Sequence, residues 1–166
     1  MAQIHLHLSI PSDHRLQMCF ILETLHSQRS QKNFNSEASI AQASEHLPHF
    51  DDLIVKCDFY NCLGRLYLTA NNLTKASDFF QQALSVSLST GKLNQQFDAL
   101  DGLAIIEWTL GNYTGAQISA PKVQKVAQLG SNHLKEAGAL RLEALCWEAL
   151  GDYSKSVANY ERAISS

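Results

Sequence analysis

Apolar and small residues recur along this chain at helical spacing, and from Tyr60 onward the same pattern recurs in blocks forty residues apart. Gly151, Gly111 and Asn71 share one column; Tyr153, Tyr113 and Leu73 share the next, then Ser156, Ala116 and Ala76. Upstream of these, Leu140, Leu100 and Tyr60 align, as do Ala144, Ala104 and Gly64. Downstream, Tyr160, Ala120 and Phe80 align, followed by Ala163, Val123 and Ala83. Positions three and four apart lie on one face of a helix, so each block predicts two amphipathic helices joined by a short turn.

The residue types in these columns have a physical reason. Two helices of a hairpin approach closely only where one side chain is nearly absent, and a large ring then fills the adjoining groove. Gly111 and Gly151 supply the left-handed conformation that ends a first helix. Asn112 and Asp152, one residue later, are suited to cap the second.

One further step of forty predicts an earlier copy. "PSDHRLQMCFILETLHSQ" reads as a helix entered through Pro11, Ser12 and Asp13, and "NSEASIAQASEHLP" as a second that stops at Pro48, although Thr24 and Ser27 fall in columns that are small or aromatic elsewhere. The pattern therefore predicts a tail over residues 1–10 and one domain over 11–166, with four hairpins at about 12–50, 52–90, 94–130 and 132–166. Pro121 sits inside the second helix of the third hairpin, where a kink or break near Ala120 is expected. In the last helix Val157, Tyr160, Ala163 and Ile164 are expected to pack inward on the helix holding Trp147, with Ser154, Lys155, Asn159 and Arg162 facing water.

The stretch "YNCLGRLYLTANNLTKASDFFQQAL" resembles a tetratricopeptide repeat. That family runs aromatic, Leu-Gly, Tyr, a turn, then Ala, aromatic and Ala on the second helix; here these are Tyr60, Leu63, Gly64, Tyr67, Ala76, Phe80 and Ala83. The later copies match in part, with Ala104 and Ala144 replacing the glycine and Glu107 standing where Tyr67 and Trp147 stand. Their forty-residue period exceeds the family's usual length of roughly 34, so helices or connections longer by about a turn are expected, as in the long variants found in scaffold and signalling proteins. The resemblance implies an all-α fold: a right-handed superhelical array of antiparallel helix hairpins, a tetratricopeptide-like α-solenoid.

Composition narrows the function classes. An apolar content of 45% with 17% charged residues and three prolines describes an ordered chain. The net charge of −3, without a basic run, gives no footprint for nucleic acid or an anionic membrane. "MAQIHLHLSI" lacks the features of a secretory signal, and no stretch is long and apolar enough to span a bilayer, so a cytoplasmic protein is expected. Cys19, Cys57, Cys62 and Cys146 show no C-x-x-C spacing and read as reduced core thiols. His46 and His49 beside Asp51 and Asp52 have the letters of a metal site, but Pro48 interrupts them and an inter-repeat loop explains them better; His5 and His7 read as part of the tail. No phosphate loop, nucleophile elbow or zinc-protease motif is present, so no catalysis, cofactor or metal is expected.

The resemblance implies a protein–protein interaction module, in which the first helices of successive hairpins line a concave groove that takes a peptide or protein segment. On this register the groove residues are Asp58, Asn61, Arg65 and Leu68, then Asp98, Asp101, Ile105 and Trp108, then Arg141, Leu145 and Glu148. Family members that clamp acidic chaperone tails carry lysine and asparagine on this face, whereas Asp98 and Asp101 here would repel such a tail. "IEWTLGNY" and "CWEALGDY" order Trp and Glu oppositely around the same turn. Either Trp108 points outward as a binding anchor, with Glu107 inward, or the helix slips by one residue and Trp108 packs like Trp147. The alternative function is a structural or self-associating piece of a longer repeat scaffold with no peptide ligand of its own. A homodimer through the C-terminal hairpin, residues 132–166, is one expected form of it.

Overall fold

The computed structural model describes residues 52–165, which belong to one compact unit. The first hairpin at 12–50, the tail, Cys19, His46, His49 and Asp51 lie outside the described residues. Six helices follow in order: α1 (Leu53–Thr69), α2 (Leu73–Thr90), α3 (Leu93–Thr109), α4 (Tyr113–Leu129), α5 (His133–Ala149) and α6 (Tyr153–Ser165). The described residues contain no strand. Each helix packs on the next, and the first helices also meet one another, α1 on α3 and α3 on α5. This is an α-solenoid of stacked hairpins.

The turns explain the regularity. After each helix one residue takes a positive φ: Asn71 (57°), Gly91 (65°), Gly111 (76°), Ser131 (49°) and Gly151 (83°). The next amide donates back five residues, from Asn72 to Tyr67 O (2.9 Å), Lys92 to Ser87 O (3.2 Å), Asn112 to Glu107 O (2.9 Å), Asn132 to Ala127 O (3.0 Å) and Asp152 to Trp147 O (2.9 Å). That bond closes a helix end in the Schellman manner, satisfying carbonyls that would otherwise be orphaned. The positions 71, 91, 111, 131 and 151 advance by twenty, so the forty-residue period is two equal halves, and the turns between hairpins copy those within them. Side-chain caps then start most helices: Asp52, Asn72, Asn112, Asn132 and Asp152 each accept an amide of the first turn, and only Lys92, among the caps of α1 to α5, makes no such bond.

The tight columns pack as their residue types require. Gly64, Ala76, Ala104, Ala116 and Ala144 are buried, and Phe80 is fully buried with its ring against Gly64 of its own hairpin and Gly102 of the next. Between the later hairpins Phe97, Ala104, Val123, Ala127, Ala139 and Leu142 form a continuous apolar cluster.

Two expectations are corrected. α4 is continuous through Pro121, so no break occurs near Ala120. Proline withholds only one amide, and Pro121 lies on the exposed side while Ala116, Ala120, Val123, Val126 and Ala127 hold the opposite side in the core. In α6, Ser156 and Asn159 are buried, whereas Val157 and Ile164 are 56% and 86% exposed. The helix is rotated so that Ser156, filling the small column, meets α5, and Asn159 Oδ1 is satisfied by Arg162 Nη1 at 2.9 Å.

Candidate functional site: the first-helix face

The candidate residues divide into an inter-helix polar ladder and a half-open apolar strip. At the top of the ladder Gln95 Nε2 donates to Asp58 Oδ1 (3.0 Å), and Asn61 Nδ2 donates to the Gln95 carbonyl (3.1 Å), joining α1 to α3. One repeat later Lys135 Nζ meets Asp98 Oδ1 (3.0 Å) and the Asn94 carbonyl (3.2 Å), joining α3 to α5. Asp58 and Asp98 stand forty apart, as do Gln95 and Lys135, so the same bridge is built twice with different donors. Lys135 also lies over the Phe97 ring, 4.6 Å from its centroid.

Arg65 reaches across from α1 to both aspartates of α3, at 3.4 Å from Asp98 Oδ1 and 3.7 Å from Asp101 Oδ2. Burial pushes the Asp101 carboxyl above its ordinary range, with Arg65 opposing and Asp98 reinforcing the shift. Asp98 and Asp101 are therefore held by cations of neighbouring helices and do not form an open acidic patch. Asn61 is only 5% exposed and sits inside the α1–α3 contact; its Oδ1 meets no donor among the described residues. Asp58, Arg141 and Glu148 are exposed.

Further along the same helices Leu68, Ile105 and Leu145 are half-buried, and Trp108 is 37% exposed. The register question at Trp108 is settled by the turn. Asn112 N bonds Glu107 O as Asp152 N bonds Trp147 O, so Glu107 occupies the Trp147 column and the helix has not slipped. Glu107 is half-buried and accepts from Ser119 Oγ at 2.8 Å. Trp108 is turned outward and held edge-on by Tyr113, with centroids 6.3 Å apart and planes at 60°.

The sequence reading did not identify Gln95 and Lys135, whose partners lie 37 residues away, nor Gly102. The signal that could have found them was the paired recurrence of Asp58 with Asp98 and of Gln95 with Lys135 at the repeat length. The thiols of Cys57 and Cys146 are buried, and desolvation raises both to about 11, with Asp58 adding to the first and Glu143 to the second. Cys57 Sγ donates to the Ala83 carbonyl at 3.2 Å. Among the described residues no three His, Cys, Asp or Glu side chains converge to hold a metal ion, and no helix is long and apolar enough to cross a membrane.

Residues 58–90 match the family model of the tetratricopeptide repeat. No curated protein matches the chain in sequence. Among solved structures, the tetratricopeptide domain of Arabidopsis FLU is similar at 22% identity and a TM-score of 0.64, over 69% of this chain and 96% of that one. Aspartyl phosphate phosphatase F of Bacillus subtilis is similar at 15% identity and a TM-score of 0.82, over 93% of this chain and 41% of that one. A Pyrococcus horikoshii signal-transduction ATPase with a tetratricopeptide repeat sensor is similar at 21% identity and a TM-score of 0.76, over 92% of this chain and 24% of that one. This chain thus spans less than half the length of the last two. Repeats of this family mediate protein–protein interaction. With a tetratricopeptide-repeat match at 58–90 and the same stacked-hairpin fold beyond it, the chain is a helical-repeat protein that carries a tetratricopeptide repeat.

Proposed function

We propose that the chain is a binding module, not a catalyst, and that the face made by α1, α3 and α5 receives a segment of another protein in a concave groove. The single observation that carries this reading is Trp108: a large ring 37% exposed on the first-helix face, one position beyond the column that Glu107 shares with Trp147. Exposed, rigid aromatics of this kind supply much of the binding energy at interfaces. The half-buried Leu68, Ile105 and Leu145 support it as apolar contacts, and Asp58, Arg141 and Glu148 as a charged rim. The ladder of Asn61, Arg65, Asp98 and Asp101 keeps neighbouring first helices in register for the ligand. The partner class is a protein or peptide, with neither nucleic acid nor membrane, in the cytoplasm.

Trp108→Ala in the full chain tests this. Proteins captured from extract by the wild type, and peptides from them that compete, are expected to bind the variant at least about tenfold more weakly, the loss of one interface anchor. Its melting temperature is expected to fall modestly, because Trp108 is only 37% exposed and packs on Tyr113, so binding is compared where circular dichroism shows both proteins folded. Equal capture by both proteins would refute the groove. A second role is favoured by the exposed apolar residues of α6, namely pairing of two copies through the C-terminal hairpin.

A further inference from the structure

Three hairpins of this array differ in one constellation beside the inner turn. In the hairpin of α1 and α2, Lys75 reaches back over the Tyr67 ring, with Nζ 5.1 Å from the centroid, and Phe79 stacks on the same ring. In the hairpin of α5 and α6, Lys155 lies over Trp147 at 4.0 Å and also meets Asp152 Oδ2 at 2.8 Å. At the corresponding positions of the hairpin between them, Glu107 replaces the ring, Gly115 replaces the lysine, and Ser119 stands where Phe79 and Asn159 stand. The backbone is the same in all three, since the amides of Asn72, Asn112 and Asp152 bond the carbonyls of Tyr67, Glu107 and Trp147. The middle hairpin therefore keeps the frame of a lysine site, omits the lysine, and sets an anion in the column over which its ammonium would lie. Glu107 is half-buried; its Oε2 accepts from Ser119 Oγ at 2.8 Å, and it makes no ion pair among the described residues. Against Gly115 lies the neutral amide of Asn112. A carboxylate drawn partly out of water is costly to leave without a counter-charge.

We propose that this hairpin is a docking point for a lysine side chain of the partner protein, whose ammonium takes the place that Lys75 and Lys155 fill in their own hairpins and pairs with Glu107. The proposal rests on the binding-module reading above and gives the ligand a chemistry. The occupant follows from charge and from the two sister sites. A ring attracts an ammonium through its quadrupole, whereas a half-buried carboxylate attracts it as a full charge. Ser119 holds one carboxylate oxygen, which leaves the other to accept from the ammonium. A compact ammonium on a flexible four-carbon stem is what the outer hairpins place here, and an arginine's planar fork has no counterpart at either of them. Trp108, next in sequence, stands on the first-helix face. A segment crossing the end of α3 thus meets an apolar contact and a charge on consecutive residues.

The test is an amide NMR titration of the full chain with N-acetyl-lysine methylamide, set against N-acetyl-norleucine methylamide, which carries a methyl group in place of the ammonium. The lysine probe is expected to shift the amides of residues 107 and 113–119 saturably at millimolar concentration, and the norleucine probe to bind at least about fivefold more weakly. Glu107→Gln keeps an acceptor for Ser119 Oγ and is expected to lose the preference for lysine. Gly115→Lys is expected to lose it as well, by filling the place from within the chain as Lys75 and Lys155 do. Glu161→Gln, at an exposed carboxylate of α6, is expected to keep it. No saturable shift with the lysine probe, equal binding of both probes, or a lysine preference that survives Glu107→Gln would each overturn the docking point. Wild-type capture by Trp108→Ala together with lysine binding at Glu107 would remove the groove and leave the docking point, and the opposite pair of results would do the reverse, so the two readings fail separately.

Discussion

Replacing Gly64 by alanine pits two effects of known size against each other. Gly64 lies inside α1, where alanine would ordinarily stabilise a helix by about 1 kcal/mol. A Cβ at this position, however, would stand 2.7, 2.8 and 2.9 Å from three atoms of the Phe80 ring. That ring is fully buried and also lies against Gly102 of α3, so it has little room in which to move. Overpacking of this kind costs roughly 1–3 kcal/mol. The steric cost outweighs the helix preference, and Gly64→Ala is expected to be destabilising by up to about 2 kcal/mol in the native background. In a Phe80→Leu background the obstructing ring is gone, and the same substitution is expected to become stabilising. Urea unfolding followed by circular dichroism on the four proteins of this cycle measures the coupling, expected at about 1–3 kcal/mol. Gly102→Ala should show the same sign change from the neighbouring helix, and Gln82→Leu at an exposed position should stay within about 0.5 kcal/mol of wild type. The reasoning fails if Gly64→Ala stabilises equally with and without the ring.

Cys57 and Cys146, buried and with thiols raised to about 11, are expected to resist alkylation at pH 8 in the native protein and to react once it is unfolded in urea; native labelling of either, read by mass spectrometry, would contradict their placement. Asp101 makes a pH prediction whose sign follows from linkage. Its folded pKa lies above the ordinary 3.8, so the folded state holds the proton more tightly, and the associated stability is present at acid pH and lost as pH rises through the folded value. The stability difference between wild type and Asp101→Asn should therefore move in favour of wild type on acidification from pH 7, and a constant difference across that range would refute the assignment.

The fold was readable because its determinants are local and repeated. Turn residues at 111 and 151, the capping residues after them and the small columns at 76, 116 and 156 each act within one hairpin, and repetition multiplied a weak signal. The turns between hairpins were harder to see. At Ser131 the left-handed residue is a serine, and Gly91 precedes Lys92, which offers the next helix no side-chain cap, so neither carries the Gly-Asn or Gly-Asp phrase found at 111–112 and 151–152. The same limit explains α6. Apolar spacing located its stripe but left open whether that stripe faces α5 or the flank, because Ser156 and Asn159 are polar residues that the hairpin buries.

The candidate face was legible at the level of helix position and not of partnership. Spacing put Asp58, Asn61, Arg65, Asp98 and Asp101 on one side of two helices, yet whether such residues offer charge to a ligand or spend it on a neighbouring helix depends on distances between segments 33 to 41 residues apart. Arg65 and Lys135 settle this by neutralising the aspartates from either side, which converts an apparent acidic surface into the joint between repeats. Ion pairs this exposed contribute little to stability individually; their effect here is to fix the register of α1, α3 and α5. A one-residue slip of α3 would move Trp108 from solvent toward the column that holds Glu107. The polar ladder and the exposed ring thus belong to one arrangement: the ladder determines which residue of the Glu107–Trp108 pair the array presents, and the tryptophan is the one it presents.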